Sequence, residues 1–207
     1  MAGLREMKKK NTKKTILKYA EKAFKENGYK QVKTSEIAKA VGIGEGTLFN
    51  YFSSKGQLFI EAVFRDFQMG KYNIHLREDI DEDYLVNEII NLIDFYIRKM
   101  ASVDKKLLRE YFSIVFETNN RESVATRKSI FDMDEMIMIE LKELFYELKK
   151  TSVKVKEFDL DTAITCIYSC VITQFTIFAY SDNLKYIDVI EDLRNQIKFI
   201  VRGNIIL

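Results

Sequence analysis

Not one of the chain's 207 residues is proline. Average usage would place about ten in a chain this long. Proline removes a helix N–H donor and clashes with the preceding turn, so without it no segment carries an obligatory helix break. Long helices joined by short turns are therefore expected. With 47% hydrophobic and 31% charged residues, the chain has enough apolar side chains for a core and too many for a disordered tail. No strand-period alternation and no internal repeat is found, so the predicted fold class is all-α, with about nine helices.

The near-neutral net charge of +2 hides an asymmetry. Residues 1–55 hold 13 Lys/Arg and five Asp/Glu, a net +8, whereas residues 56–207 hold 20 and 26, a net −6. A basic head on an acidic body suits an anionic partner for the head, nucleic acid or an anionic membrane face; a lysine-rich solvated surface is the bland alternative.

Apolar residues Ile16, Leu17, Ala20, Ala23 and Phe24 recur at helical spacing in 12–27, and Gly28 follows as a left-handed C-terminal cap. Thr34 offers a hydroxyl N-cap to a short helix, 35–41, with Ile37, Ala38 and Val41 inward. Gly42-Ile43-Gly44 interrupts it, and a second short helix, 45–52, runs through Leu48, Phe49 and Phe52. Two short helices across a Gly-containing turn are a helix-turn-helix, whose second helix presents its first turn to base edges in the major groove. Gly44 and Gly46 keep that edge free of bulk. Ser54 to Gln57 reads as a capping box opening a helix with Leu58, Phe59, Ala62, Val63 and Phe67 on its apolar side, and Gly70 ends, bends or weakens it.

Further helices are predicted at 84–100, from a cap at Ser102 or Asp104 to about 118, at 123–150, at 160–181, whose residues 162–181 form an uncharged segment, and at 185–202, with Asn119-Asn120 as a turn. The uncharged segment is as long as a membrane span. Its Thr165, Ser169, Thr173, Gln174 and Thr176, and the acidic residues before it, favour instead a helix buried inside a core or between subunits, with no membrane partner. The charged start, which lacks a cleavable apolar stretch, and the two cysteines point to a reducing, cytoplasmic location.

The segment TSEIAKAVGIGEGTLFNYFSSK, residues 34–55, followed by Leu58 and preceded by Gly28-Tyr29, resembles the DNA-binding domain of TetR-family transcriptional regulators across roughly residues 10–69. The resemblance implies a DNA-binding domain at 9–69, with its helix-turn-helix at about 34–53, and a C-terminal effector-binding and dimerisation domain at 70–207. It places Glu45, Thr47 and Asn50 in the groove and Tyr51, Lys55 and Thr34 on phosphate, with Ser35, Gly44 and Gly46 also among the DNA-binding positions. The chemistry agrees in part: Asn pairs with adenine, Thr contacts a thymine methyl, Glu accepts from cytosine N4, and Tyr51 and Lys55 position rather than specify. The recognition helix has no Lys or Arg, so affinity falls to Lys55, the Lys8 to Lys14 cluster, Lys33, Lys39 and helix N-termini, and Glu45 needs a donor beside phosphate. The lysine-rich start reads equally as a DNA arm or a solvated end.

In the second domain, Phe95, Tyr96, Phe112, Phe116, Met133, Met136 and Ile137, with Thr173 and Gln174 as polar handles, form the candidate lining of a small hydrophobic effector's pocket; simple core is the competing reading for each. Cys166 and Cys170, four apart, read as small buried hydrophobes, with a redox role across a dimer axis as the alternative. With His75 alone no zinc spacing is met, and with no Gly-rich phosphate loop or nucleophile motif neither metal, cofactor nor catalysis is expected. The implied partners are a double-stranded DNA operator, a second copy joined through the two C-terminal helices, and the effector. Release of a repressor from a near-palindromic site is the usual mode that the resemblance implies; control by a protein partner, or a helical carrier or enzyme, are the alternatives.

Overall fold

The computed structural model describes residues 2–64, 70–116, 121–151 and 159–202, with side chains for 3–64, 70–116, 135–151 and 159–202. Among them are nine helices: α1 Ala2–Gln31, α2 Thr34–Val41, α3 Glu45–Phe49, α4 Lys55–Val63, α5 Glu82–Ala101, α6 Lys105–Phe116, α7 Arg121–Leu148, α8 Leu160–Tyr180 and α9 Tyr186–Val201. The fold is all-α, with an N-terminal helix-turn-helix domain. Phe67, the Asn119-Asn120 turn and the side chain of Met133 lie outside the described residues.

The chain forms two compact units, residues 1–68 with 106–130 and residues 69–105 with 131–207. In the first, α1 packs on α4 and α2, and α2 on α3. Its core is Ile16, Ala20 and Phe24 of α1, Ile37 and Ala38 of α2, Leu48, Phe52, and Leu58, Phe59 and Ala62 of α4. The Phe59 ring joins Phe24 edge-on at 5.1 Å, Tyr29 at 5.2 Å and Phe64 at 5.9 Å, and Phe64 continues to Tyr111 of α6 at 4.9 Å. Edge-to-face pairs at these separations gain from the ring quadrupoles beyond simple burial.

In the second unit α9 packs on both α5 and α8. The buried positions of α9, Val189, Leu193, Ile197 and Val201, repeat every four residues, as an apolar stripe on one helix face requires. Asp159 caps α8 by accepting from the Thr162 N–H at 3.1 Å.

Several helix ends differ from expectation. Helix one begins about ten residues earlier than its apolar stripe, because lysines propagate a helix nearly as well as apolar residues do. Gly28 breaks the helix where it was expected to, with a positive φ of 77° but a ψ of 168°, so it forms an extended kink rather than a left-handed helical cap, and a further short turn follows to Gln31. Thr34 is not the cap of α2: Lys33 occupies that position without a side-chain bond, and the Thr34 hydroxyl donates to Glu45 Oε1 at 2.5 Å instead. Helix three is one turn shorter than read, ending at Phe49 with Asn50 as its C-cap. The capping box of α4 is half-formed: Ser54 Oγ accepts from the Gln57 N–H at 3.0 Å, while Gln57 Oε1 accepts from the N–H of Ser53 at 2.6 Å rather than that of Ser54. Gly70 is exposed and non-helical.

Helix α8 is long and apolar enough to cross a membrane by length and composition. It is not buried on all sides within the chain. Ile164, Ile167, Val171, Phe175 and Phe178 face inward, whereas Thr165, Cys166, Ser169, Thr173, Ile177 and Tyr180 are exposed. Thr165 and Ser169 donate their hydroxyls to carbonyls one turn back, so they satisfy themselves without a partner. The cysteines are accordingly not buried hydrophobes: Cys166 is on the exposed face and Cys170 half-buried beside it.

Candidate nucleic-acid interface

The turn between α2 and α3 is made by Gly42, whose φ of 77° and ψ of 29° are the left-handed conformation that a side chain disfavours. Gly42 and Ile43 donate back to Lys39 and Ala38 carbonyls, closing the helix end compactly. Gly44, by contrast, has an ordinary φ of −71° and is not needed for the turn. A Cβ at Gly44 would meet only Thr47 Oγ1, at 3.8 Å, and one at Gly46 would meet nothing within 4 Å. Both glycines border open space.

Helix α3 is held by a single knob. Leu48 is fully buried, while Gly44, Glu45, Gly46, Thr47, Phe49 and Asn50 are exposed. Phe52 anchors the far end in the core. The Glu45 carboxylate has the donor that the sequence demanded, the Thr34 hydroxyl, which ties the start of α3 to the start of α2. Ser35 is exposed beside it and Tyr51 half-buried. The predicted groove and backbone residues thus lie on one continuous stretch, Thr34–Ser35 and Gly44–Lys55, and within it Glu45 and Thr34 engage each other.

Lys55 is the exception to an outward-pointing cation. Its ammonium lies 4.5 Å from the Tyr29 ring centroid and 3.4 Å from the Lys30 carbonyl. Partial burial pushes its pKa down, and the Glu110 carboxylate on α6 opposes that shift. Glu110 also accepts from the Tyr29 N–H at 2.7 Å, and a Cβ on Gly28 would come within 3.0 Å of its other oxygen. Sequence reasoning missed Glu110; 81 residues separate it from Tyr29, and nothing local marks it. In the lysine-rich start, Lys8, Lys9, Lys10 and Lys14 are exposed along α1, but Lys13 pairs with Glu61 at 2.6 Å and sits over the Phe52 ring, bracing α1 on α4.

The candidate effector residues are divided between the units. Phe112 and Phe116 belong to the first, stacked at 6.1 Å with Phe116 largely exposed. In the second, Tyr96, Ile137 and Gln174 are buried, Phe95 and Met136 are partly exposed, and Thr173 is on the outward face of α8.

A short helix with a free outer edge, seated by one leucine behind a left-handed glycine turn, is a helix-turn-helix, a motif whose second helix has the dimensions to enter a major groove. Residues 16–62 match the family described as bacterial regulatory proteins, tetR family. A fatty acid metabolism regulator protein of Bacillus subtilis is 35% identical over 78 residues, 38% of this chain and 39% of that protein. An HTH-type transcriptional regulator of Staphylococcus aureus is 31% identical over 101 residues, 48% of this chain and 53% of that one. The chain therefore spans about half or less of the length of the curated relatives it matches. Among solved structures, Thermus thermophilus FadR, a TetR-family transcriptional repressor in complex with lauroyl-CoA, superposes with a TM-score of 0.60 at 20% identity, over 92% of this chain and 94% of that one; this is a likeness of fold. The match to the tetR family of bacterial regulatory proteins lies in the N-terminal segment, residues 16–62.

Proposed function

We propose that the protein is a cytoplasmic, homodimeric transcriptional regulator that binds a near-palindromic operator and is released from it by a small, mainly hydrophobic ligand. The observation that carries the DNA reading is the exposure of Gly44 to Thr47 and of Asn50 around the single buried Leu48. In this reading Glu45, Thr47 and Asn50 meet base edges, and Ser35, Tyr51, Thr34 and Lys55 hold phosphate. Lys55 leaves the Tyr29 ring to do so, and Thr34 and Glu45 exchange their mutual bond for DNA contacts.

The dimer reading is supported by the exposed face of α8 and by Ile187 and Phe199 of α9, 66% and 82% exposed. Large apolar side chains left open on two adjacent helices suit an isologous interface. Two recognition helices then meet successive major grooves about 34–36 Å apart, or a larger spacing by whole turns. The ligand class is supported by the relatives, one a fatty acid metabolism regulator and one bound to lauroyl-CoA. Such a ligand shifts operator affinity by its differential affinity for two conformations, commonly about 1–3 kcal/mol.

Gel shifts with fragmented genomic DNA test the proposal. A salt-sensitive, sequence-selective complex of dimer stoichiometry is expected, weakened by a long-chain acyl or alkyl compound. Binding that ignores sequence, or a monomer by light scattering at micromolar concentration, contradicts it.

A further inference from the structure

Lys55 stands where local rules disfavour it. It is the first residue of α4, and a helix N-terminus carries the positive end of the macrodipole, which repels a cation. The ammonium turns away from that end and back onto the last turn of α1, 4.5 Å from the Tyr29 ring centroid and 3.4 Å from the Lys30 carbonyl oxygen. A ring face and a carbonyl oxygen are both electron-rich, so each attracts it.

The third attraction is Glu110 of α6, in the same compact unit. At the Gly28 kink the Tyr29 N–H turns to a partner from outside α1 and donates to Glu110 Oε2 at 2.7 Å. The carboxylate is thereby fixed to the very residue whose ring carries the Lys55 ammonium. Its other oxygen lies beside Gly28, where a Cβ would come within 3.0 Å of it, so the glycine leaves the room that the carboxylate occupies. The Glu110 charge opposes the lowering of the Lys55 pKa by burial, as a countercharge does. Lys106, one turn earlier on α6, has its ammonium 3.3 Å from the same Cβ position. Glu110 thus neighbours two lysines, and only Lys55 belongs to the proposed DNA edge.

That edge is poor in positive charge. Between Thr34 and Lys55 the sequence holds two cations, Lys39 and Lys55, and sequence-independent affinity comes from cations that neutralise phosphates. We infer that Glu110 sets the DNA affinity from outside the interface, by competing with a backbone phosphate for the Lys55 ammonium. In the free protein the carboxylate, the ring and the carbonyl hold the lysine back. A phosphate that takes it must displace these partners and also meets the Glu110 charge as a like charge. The inference rests on the reading of the first unit as a DNA-binding domain. It adds a residue that touches no DNA and lowers affinity for every sequence alike.

The full-length protein and its variants are titrated by fluorescence anisotropy against two duplexes, one selected by the protein from fragmented genomic DNA and one scrambled, over a series of salt concentrations. E110Q keeps an acceptor for the Tyr29 N–H and removes the competing charge. It is expected to bind both duplexes about threefold more tightly at low salt, the size of an exposed charge pair, with a steeper salt dependence. A carboxylate that only braced α1 would give a loss or no change. In K55A the same substitution is expected to alter affinity by less than about 1.5-fold, because the coupled partner is gone; a general effect of charge would persist there. Wild-type protein supplies a second readout that needs no substitution. The side-chain methylene proton signals of Lys55, assigned by their loss in K55A, are expected to lie upfield under the Tyr29 ring and to move to ordinary lysine positions when the selected duplex is added. Weaker or unchanged binding by E110Q, an equal gain in K55A, or Lys55 signals that DNA does not move overturns the inference. Any of these alongside a sequence-selective wild-type complex leaves the DNA reading intact, whereas no wild-type complex with either duplex removes both.

Discussion

In the first unit an aromatic core is closed and the polar groups of interest lie outside it, on α2, α3 and their turn. In the second a carboxylate lies within the apolar packing, while part of the apolar surface lies outside. The two arrangements suit different partners. DNA is a large, already charged ligand that needs a rigid, exposed edge, whereas a small hydrophobic molecule is held by desolvation among apolar side chains.

The sharpest break in that contrast comes from the first core. Phe59 is fully buried and touches three other rings, so Phe59→Ala is expected to cost about 3–5 kcal/mol in urea unfolding and to abolish DNA binding. In the second unit the equally buried Glu140 behaves otherwise. Because E140Q removes a charge and leaves an acceptor, it is expected to change unfolding by no more than about 1 kcal/mol. A loss as large as that of Phe59→Ala would make Glu140 a structural anchor and erase the distinction.

Next in size are the proposed DNA-contacting residues from the C-cap of α3 to the start of α4. Asn50→Ala is expected to cost about 1–3 kcal/mol at one base pair and to change sequence preference. Tyr51→Phe and Lys55→Ala, read in the same gel shifts, are expected to weaken binding to all sequences alike, and the lysine change also to lower the salt slope by about one. Identical effects at all three positions would refute the division between specifying and positioning residues.

Gly28→Ala is expected to destabilise by about 1–2 kcal/mol, since its φ of 77° is costly for a residue with a Cβ and Glu110 Oε1 stands 3.0 Å from where that Cβ would lie. Gly46→Ala, with open space around it, is expected to stay within about 0.5 kcal/mol by thermal unfolding while impairing the groove contact. The smallest effect concerns Lys55. Its folded pKa lies below the unfolded value, so the unfolded chain holds this proton more tightly and stability rises with pH between the two. Below the folded pKa the penalty is present in full. Side-chain ammonium NMR is expected to show Lys55 titrating below the other lysines, and lower still in Glu110→Gln; an unshifted Lys55 would place it in solvent.

The head was legible because its constraints are local. Leu48 and Phe52, the left-handed Gly42 and the Ser54 cap act within a few residues of one another, so spacing alone reports them. Thr34 was misread as a cap because its hydroxyl is taken by Glu45, 11 residues on, which a local rule does not weigh. Contacts across long separations were not legible in either unit: Tyr72 to Glu140 in the second spans 68 residues, and Tyr29 to Glu110 in the first spans 81. The sequence does hold one signal that was passed over, the carboxylate of Glu140 in the inward register between Ile137 and Leu144. The outward face of α8 was hidden by composition, because Thr and Ser there satisfy their hydroxyls on their own helix and leave no charge to mark exposure.

The central claim, that the edge from Gly44 to Asn50 enters the major groove in pairs, is tested most directly by dimethyl sulfate footprinting on a selected operator. That reagent methylates guanine N7 in the major groove and adenine N3 in the minor. The account predicts two clusters of protected guanine N7 related by a dyad and separated by about one helical turn or a whole multiple of it, with protection altered in Asn50→Ala. Protection confined to adenine N3, or a single cluster without a dyad, contradicts it.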